Sequence, residues 1–67
     1  MKCYIKMGNL YLWDYYVGCD GEISHIEFDE RREFACYFNS GQEAEDVRRM
    51  IAADLNIPIK NIKIYKW

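Results

Sequence analysis

The chain has 67 residues, of which 51% are apolar, 30% charged and 16% aromatic, with a formal net charge of −2. This length reads as one domain, residues 1–67, because single domains commonly run to roughly 100–150 residues. The apolar fraction excludes a disordered chain, and four glycines with one proline exclude a collagen-like or low-complexity one.

Residues 2–7 alternate with period two, Gly8-Asn9 punctuate, and Leu10 to Val17 form a second extended run rich in aromatic residues. Asp20-Gly21 is a hairpin signal, because both residues tolerate the positive φ of a two-residue type I′ turn. It predicts a third strand at about Glu22–Phe28. After the polar connection Asp29-Glu30-Arg31-Arg32, Glu33–Phe38 reads as a fourth strand, with Phe34, Cys36 and Phe38 on one side. Ser40-Gly41-Gln42-Glu43 is a capping box in which Ser40 accepts from the backbone and Glu43 reaches back. Ala44, Val47, Ile51 and Leu55 follow at helical spacing, acids fill the first turns, and Arg48 and Arg49 come later, as the helix dipole favours. Asn56 and Pro58 end the helix, and residues 61–67 alternate again as a closing strand. The expected fold is α+β: a mostly antiparallel sheet of four to five strands in ββββαβ order, with one helix packed on one face.

A single helix of about 14 residues is about 21 Å long and covers one sheet face only. The aliphatic positions Ile5, Leu10, Leu12, Ile26, Phe28, Ile62 and Ile64 suit the covered face. If Tyr11, Trp13 and Tyr15 project from the other, they form an aromatic row reinforced by Tyr4 and Tyr65 across neighbouring strands; such rings either anchor protein interfaces or serve as ordinary sheet residues half-buried by one another. Asp14 falls on the Leu10/Leu12 side, and a one-residue bulge would reverse the assignment, so which side of the second strand is buried stays open. Charge is segregated as well. From Trp13 to Glu30 there are the acids Asp14, Asp20, Glu22, Glu27, Asp29 and Glu30 and no Lys or Arg, whereas Lys60, Lys63 and Lys66 follow Leu55 without an acid. An acidic segment of this kind steers toward a basic groove.

Chemistry finds little support in the pattern. His25 is the only histidine and has no nucleophile context; Asp14 and Glu27 on facing strands suit acid/base work only in the general sense that any carboxylate pair does. Cys3, Cys19 and Cys36 contain no C-x-x-C and read as free, buried thiols. With His25 they have zinc-ligand atoms at the wrong spacing, and no glycine-rich phosphate loop is present. No catalytic residue, metal site or cofactor is therefore expected. Lys6, Lys63 and Lys66 among Tyr4, Tyr65 and Trp67 resemble a single-strand stacking surface, but a net negative chain opposes direct nucleic-acid binding. No apolar run approaches the roughly 20 residues of a membrane span, and the opening residues lack a basic stretch before an apolar one, so a cytoplasmic location is expected.

The extended N-terminal hairpin, the acidic strand pair ending in EFACYFNS, the segment GQEAEDVRRMIAADLN and the closing Lys-rich strand NIKIYKW together resemble, in layout, small proteins encoded by bacteriophages and prophages. That resemblance spans nearly the whole chain and carries over no functional residue. It implies a non-enzymatic inhibitor of a host enzyme, of the anti-CRISPR or other anti-defence kind, acting in the host cytosol by occupying a surface. The partner would be a host protein such as a nucleic-acid-processing defence complex. The residues expected to meet it are Tyr11, Trp13, Tyr15, Tyr65, Trp67, Asp14, Asp20, Glu22, Glu27, Asp29 and Glu30. Two other readings are a self-associating accessory protein, a homodimer through the same face or an edge strand, and a small nucleic-acid-binding regulator.

Overall fold

A computed structural model describes residues 2–67 and gives the element order β1 (Cys3–Met7), β2 (Leu10–Val17), β3 (Ile23–Asp29), α1 (Gly41–Leu55) and β4 (Ile62–Lys66). Short 3₁₀ turns at Arg32–Phe34 and Ile59–Asn61 precede α1 and β4. The strands form an antiparallel sheet in the order β3-β2-β1-β4, and α1 packs on one face of it. This is the expected α+β class, with βββαβ in place of ββββαβ.

Both hairpins are set by glycine. Met7 pairs with Leu10 around Gly8-Asn9, and a φ of +63° at Gly8 alone fits a type II′ turn. The second hairpin turns differently from the two-residue form expected. The Gly21 N–H donates to the Gly18 carbonyl, and only Gly21, at φ +82°, is left-handed, so the loop spans Gly18–Glu22. Asp20 contributes its Oδ1 as acceptor for the Glu22 N–H rather than a positive φ.

The predicted strand at Glu33–Phe38 does not form. β1 and β2 pair only at Lys6–Tyr11 and Met7–Leu10 and then diverge. The following segment fills the gap: the Cys36 N–H donates to the Leu12 carbonyl of β2, while Phe38 and Cys3 of β1 exchange backbone bonds of 3.0 and 2.8 Å. Because Arg32–Phe34 coils into a 3₁₀ turn, Phe34 is exposed while Phe38 is buried, and the alternation is broken.

Ser40 caps α1, its Oγ accepting from the Glu43 N–H at 3.1 Å; among the described residues the return bond from Glu43 is not made. The helix ends in a Schellman motif, with Asn56 left-handed at φ 55° and the Ile57 N–H donating to the Ala52 carbonyl. Ala44, Val47 and Ile51 are buried as expected. Leu55 is exposed because the helix stops there, and Ala52 and Ile57 supply the last contacts instead. Ile5, Leu12, Ile51 and Ile62 are sealed at the centre; Ile26, Phe28 and Ile64 pack around them, and Leu10 stays half-buried. Arg48 ties α1 to the closing segment, donating to the Ile59 and Ile62 carbonyls and to Glu45.

Candidate interaction face

The pleat of β1 sends Cys3 and Ile5 into the core and Tyr4 and Lys6 to the opposite, uncovered face. Register then decides their neighbours. Tyr4 is the direct partner of Tyr65, and Lys6 of both Tyr11 and Lys63. The Tyr4 ring meets Tyr11 at 5.7 Å, stacks on Tyr65 at 5.7 Å and takes the edge of Trp67 at 5.6 Å, all within the range of favourable aromatic pairs. Tyr37 continues the layer, 5.8 Å from Trp67.

Cations lie over these rings. The Lys6 ammonium sits above Tyr11 at 4.8 Å and Tyr65 at 5.6 Å, the Arg32 guanidinium above Trp67 at 4.9 Å and Tyr4 at 5.7 Å, and Lys2 above Tyr37 at 4.4 Å. At the β4 edge, Lys6, Lys60, Lys63 and Tyr65 line an open hollow of about 480 Å³ that contains no carboxylate. Of the nine Lys and Arg residues, Arg31, Arg48 and Arg49 are ion-paired. Among the described residues the other six, Lys2, Lys6, Arg32, Lys60, Lys63 and Lys66, have no carboxylate partner.

Sequence reasoning placed Tyr11, Tyr65 and Trp67 on this face, where they are. Tyr15 is on the other side: its ring lies 5.9 Å from buried Phe38 and packs on the core, and burial, helped by the charges of Cys36 and Glu43, pushes its phenol above the ordinary tyrosine range. The cause is a one-residue bulge. Leu12 pairs with Phe28 and Asp14 with Glu27, so Trp13 is the extra residue and the strand changes sides after it. Trp13 is exposed at the bulge, and its carbonyl accepts from the Cys36 Sγ at 2.7 Å. Lys2, Arg32 and Tyr37 were not among the expected residues. Tyr37 was legible as the residue facing away from Cys36 and Phe38, whereas nothing local in the sequence marks Arg32.

The acidic segment separates into parts. Asp14 and Glu27 meet on the open face with His25 between them, its Nε2 lying 3.3 Å from a carboxylate oxygen of each. Asp29 is held by Arg31, whose side chain donates at 3.0 and 3.2 Å and whose N–H donates at 2.8 Å; these bonds keep its carboxyl below the ordinary range. Asp20 and Glu22 are exposed at the β2–β3 loop, and Glu30 is exposed just after β3. Of the cysteines expected to be buried, Cys3 is, Cys36 is partly so, and Cys19 is exposed because it lies in the β2–β3 loop; burial, followed by the charge of Asp14, raises the Cys36 thiol. Among the described residues no helix is long and apolar enough to cross a membrane. No protein-family model matches the chain, and neither the curated proteins nor the solved structures contain a significant match to it.

Proposed function

We propose that this chain is a non-enzymatic binding module that docks stoichiometrically on another protein through its uncovered sheet face, meeting an acidic surface there. The supporting observation is that Tyr4, Tyr11, Tyr65, Trp67 and Tyr37 form one aromatic layer overlain by Lys2, Lys6 and Arg32, none of which is neutralised by a carboxylate among the described residues. Partly exposed tyrosines and tryptophans supply apolar area at low entropy cost, and unpaired cations speed encounter with an acidic partner. The sequence-based expectation paired the aromatic row with the acids; the rings associate with Lys2, Lys6 and Arg32 instead, and Asp14 and Glu27 meet over β2 and β3 on the same face. A module of this kind blocks whatever surface it covers, which accords with the inhibitory role that the phage-type layout implies.

A nucleic-acid single strand is the second reading, favoured by the same combination of rings and lysines and opposed by the net charge of −2. Quantitative capture from host lysate, with and without nuclease, tests both. The expected result is a protein set retained by the parent chain after nuclease and lost with Lys6→Glu and with Tyr65→Ala, while circular dichroism of both variants stays native. Capture that nuclease abolishes, or that the two folded variants keep, overturns the protein-docking reading.

A further inference from the structure

We propose that Asp14, His25 and Glu27 form a binding site for a divalent transition-metal ion of the zinc class. The donor set mixes one imidazole with two carboxylates, a combination that suits zinc and its neighbours better than magnesium or calcium. The spacing fits. Tetrahedral bonds of about 2.0–2.2 Å set donor atoms about 3.3–3.6 Å apart. The His25 Nε2 is 3.3 Å from Asp14 Oδ2 and 3.3 Å from Glu27 Oε2, and all three donor atoms lie within 4.8 Å of one another. A hydrogen-bonding account fits less well: an imidazole N–H points along one in-plane line and serves one oxygen, at about 2.7–3.2 Å.

Two further features support the site. Asp14 and Glu27 are direct partners across the β2–β3 ladder, where like charges destabilise the pair, and no Lys or Arg among the described residues is ion-paired to either. The bulge also creates the arrangement. With Leu12 opposite Phe28, an unbroken register would bring Trp13 opposite Glu27; the extra residue substitutes a carboxylate for an indole there. Bulges recur where a side chain must be re-aimed beside a functional site. Two carboxylates match the charge of a divalent ion, and three protein ligands leave the fourth position to water.

The test uses the full chain carrying Cys19→Ser, because Cys19 is an exposed thiol that competes for zinc. His25 is the only histidine, so its ring proton resonances report on the site without assignment. Zinc chloride is expected to shift them saturably at one-to-one stoichiometry. Calorimetry is expected to show affinity falling at least about tenfold in His25→Ala and in Glu27→Gln. All three side chains are about half exposed, and circular dichroism confirms that each variant is folded. The assignment is overturned if the histidine resonances stay fixed, if folded His25→Ala binds zinc as tightly as its parent, if Cys36→Ser rather than His25→Ala abolishes binding, or if magnesium displaces zinc at equal concentration.

Discussion

Lys6 and Lys63 face each other as direct partners across β1 and β4, and neither has a carboxylate partner among the described residues. Like charges placed opposite in an antiparallel ladder cost about 0.2–1 kcal/mol. Lys63→Glu is therefore expected to raise stability by roughly that amount, read from the urea midpoint at unchanged slope. The same substitution is expected to weaken capture of the docking partner. A variant that is more stable and captures as before would detach the lysines from docking.

Arg48 joins three parts of the fold, pairing with Glu45 one helical turn earlier and donating to the carbonyls of Ile59 and Ile62. Its side chain is only 22% exposed, so these bonds are partly shielded from solvent. Arg48→Ala is expected to cost about 1–2 kcal/mol in urea denaturation, after allowance for screening. Arg48→Lys is expected to restore little of it, since one ammonium cannot reproduce the forked geometry.

Glu45 accepts from both Arg48 and Arg49. Burial pushes its carboxyl upward, but the two guanidiniums outweigh burial and hold it below the ordinary glutamate range. A carboxyl lowered in the folded state stabilises the fold above its unfolded pKa, and that contribution is lost as pH falls through the lowered value. Stability is thus expected to decline on acidification below the ordinary glutamate range, with a shallower decline in Glu45→Gln. Equal slopes for the two chains in thermal melts across that interval would contradict the assignment.

Local chemistry made much of this fold legible. Gly8-Asn9 marked one hairpin and Asp20-Gly21 the other, Ser40 marked the start of α1, and Asn56 with Pro58 marked its end, because each signal depends on residues a few positions apart. The failures involve distant partners. Glu33–Phe38 has strand-like alternation, but its bonding depends on the gap between β1 and β2, which no nearby residue reveals. The bulge at Trp13 inverts the second half of β2 for the same reason, moving Tyr15 to the core while leaving Tyr11 outside. The pairing of Asp14 with Glu27 was readable as a facing carboxylate pair; the position of His25 between them follows only from the shifted register.

Thiol reactivity offers a check on the segment between β1 and β2. Burial first, and then the charge of Asp14, raises the Cys36 thiol, while Cys3 is buried and Cys19 exposed. The thiolate is the reactive form. Iodoacetamide at neutral pH is therefore expected to label Cys19 first and Cys36 and Cys3 much later, resolved by peptide mass spectrometry. Early labelling of Cys36 would mean that the chain around it is open.

Tyr15 and Tyr65 make the sharpest comparison, because the same substitution should have opposite consequences on the two sides of the sheet. Tyr15 packs on Phe38 within the core, whereas Tyr65 is 41% exposed on the open face. Tyr15→Ala removes a half-buried ring and is expected to cost about 2–3 kcal/mol, below the roughly 3–5 kcal/mol of a fully buried aromatic. Tyr65→Ala is expected to cost less than about 1 kcal/mol, the worth of its stacking on Tyr4, while losing partner capture. Alkaline titration gives an independent reading. Burial raises the Tyr15 phenol, so in the folded chain one tyrosine should ionise later than the ordinary range, and that late step should be absent from any folded fraction of Tyr15→Ala. A late step that survives the substitution, or a Tyr65→Ala chain that unfolds as readily as Tyr15→Ala, would reverse the assignment of the two faces.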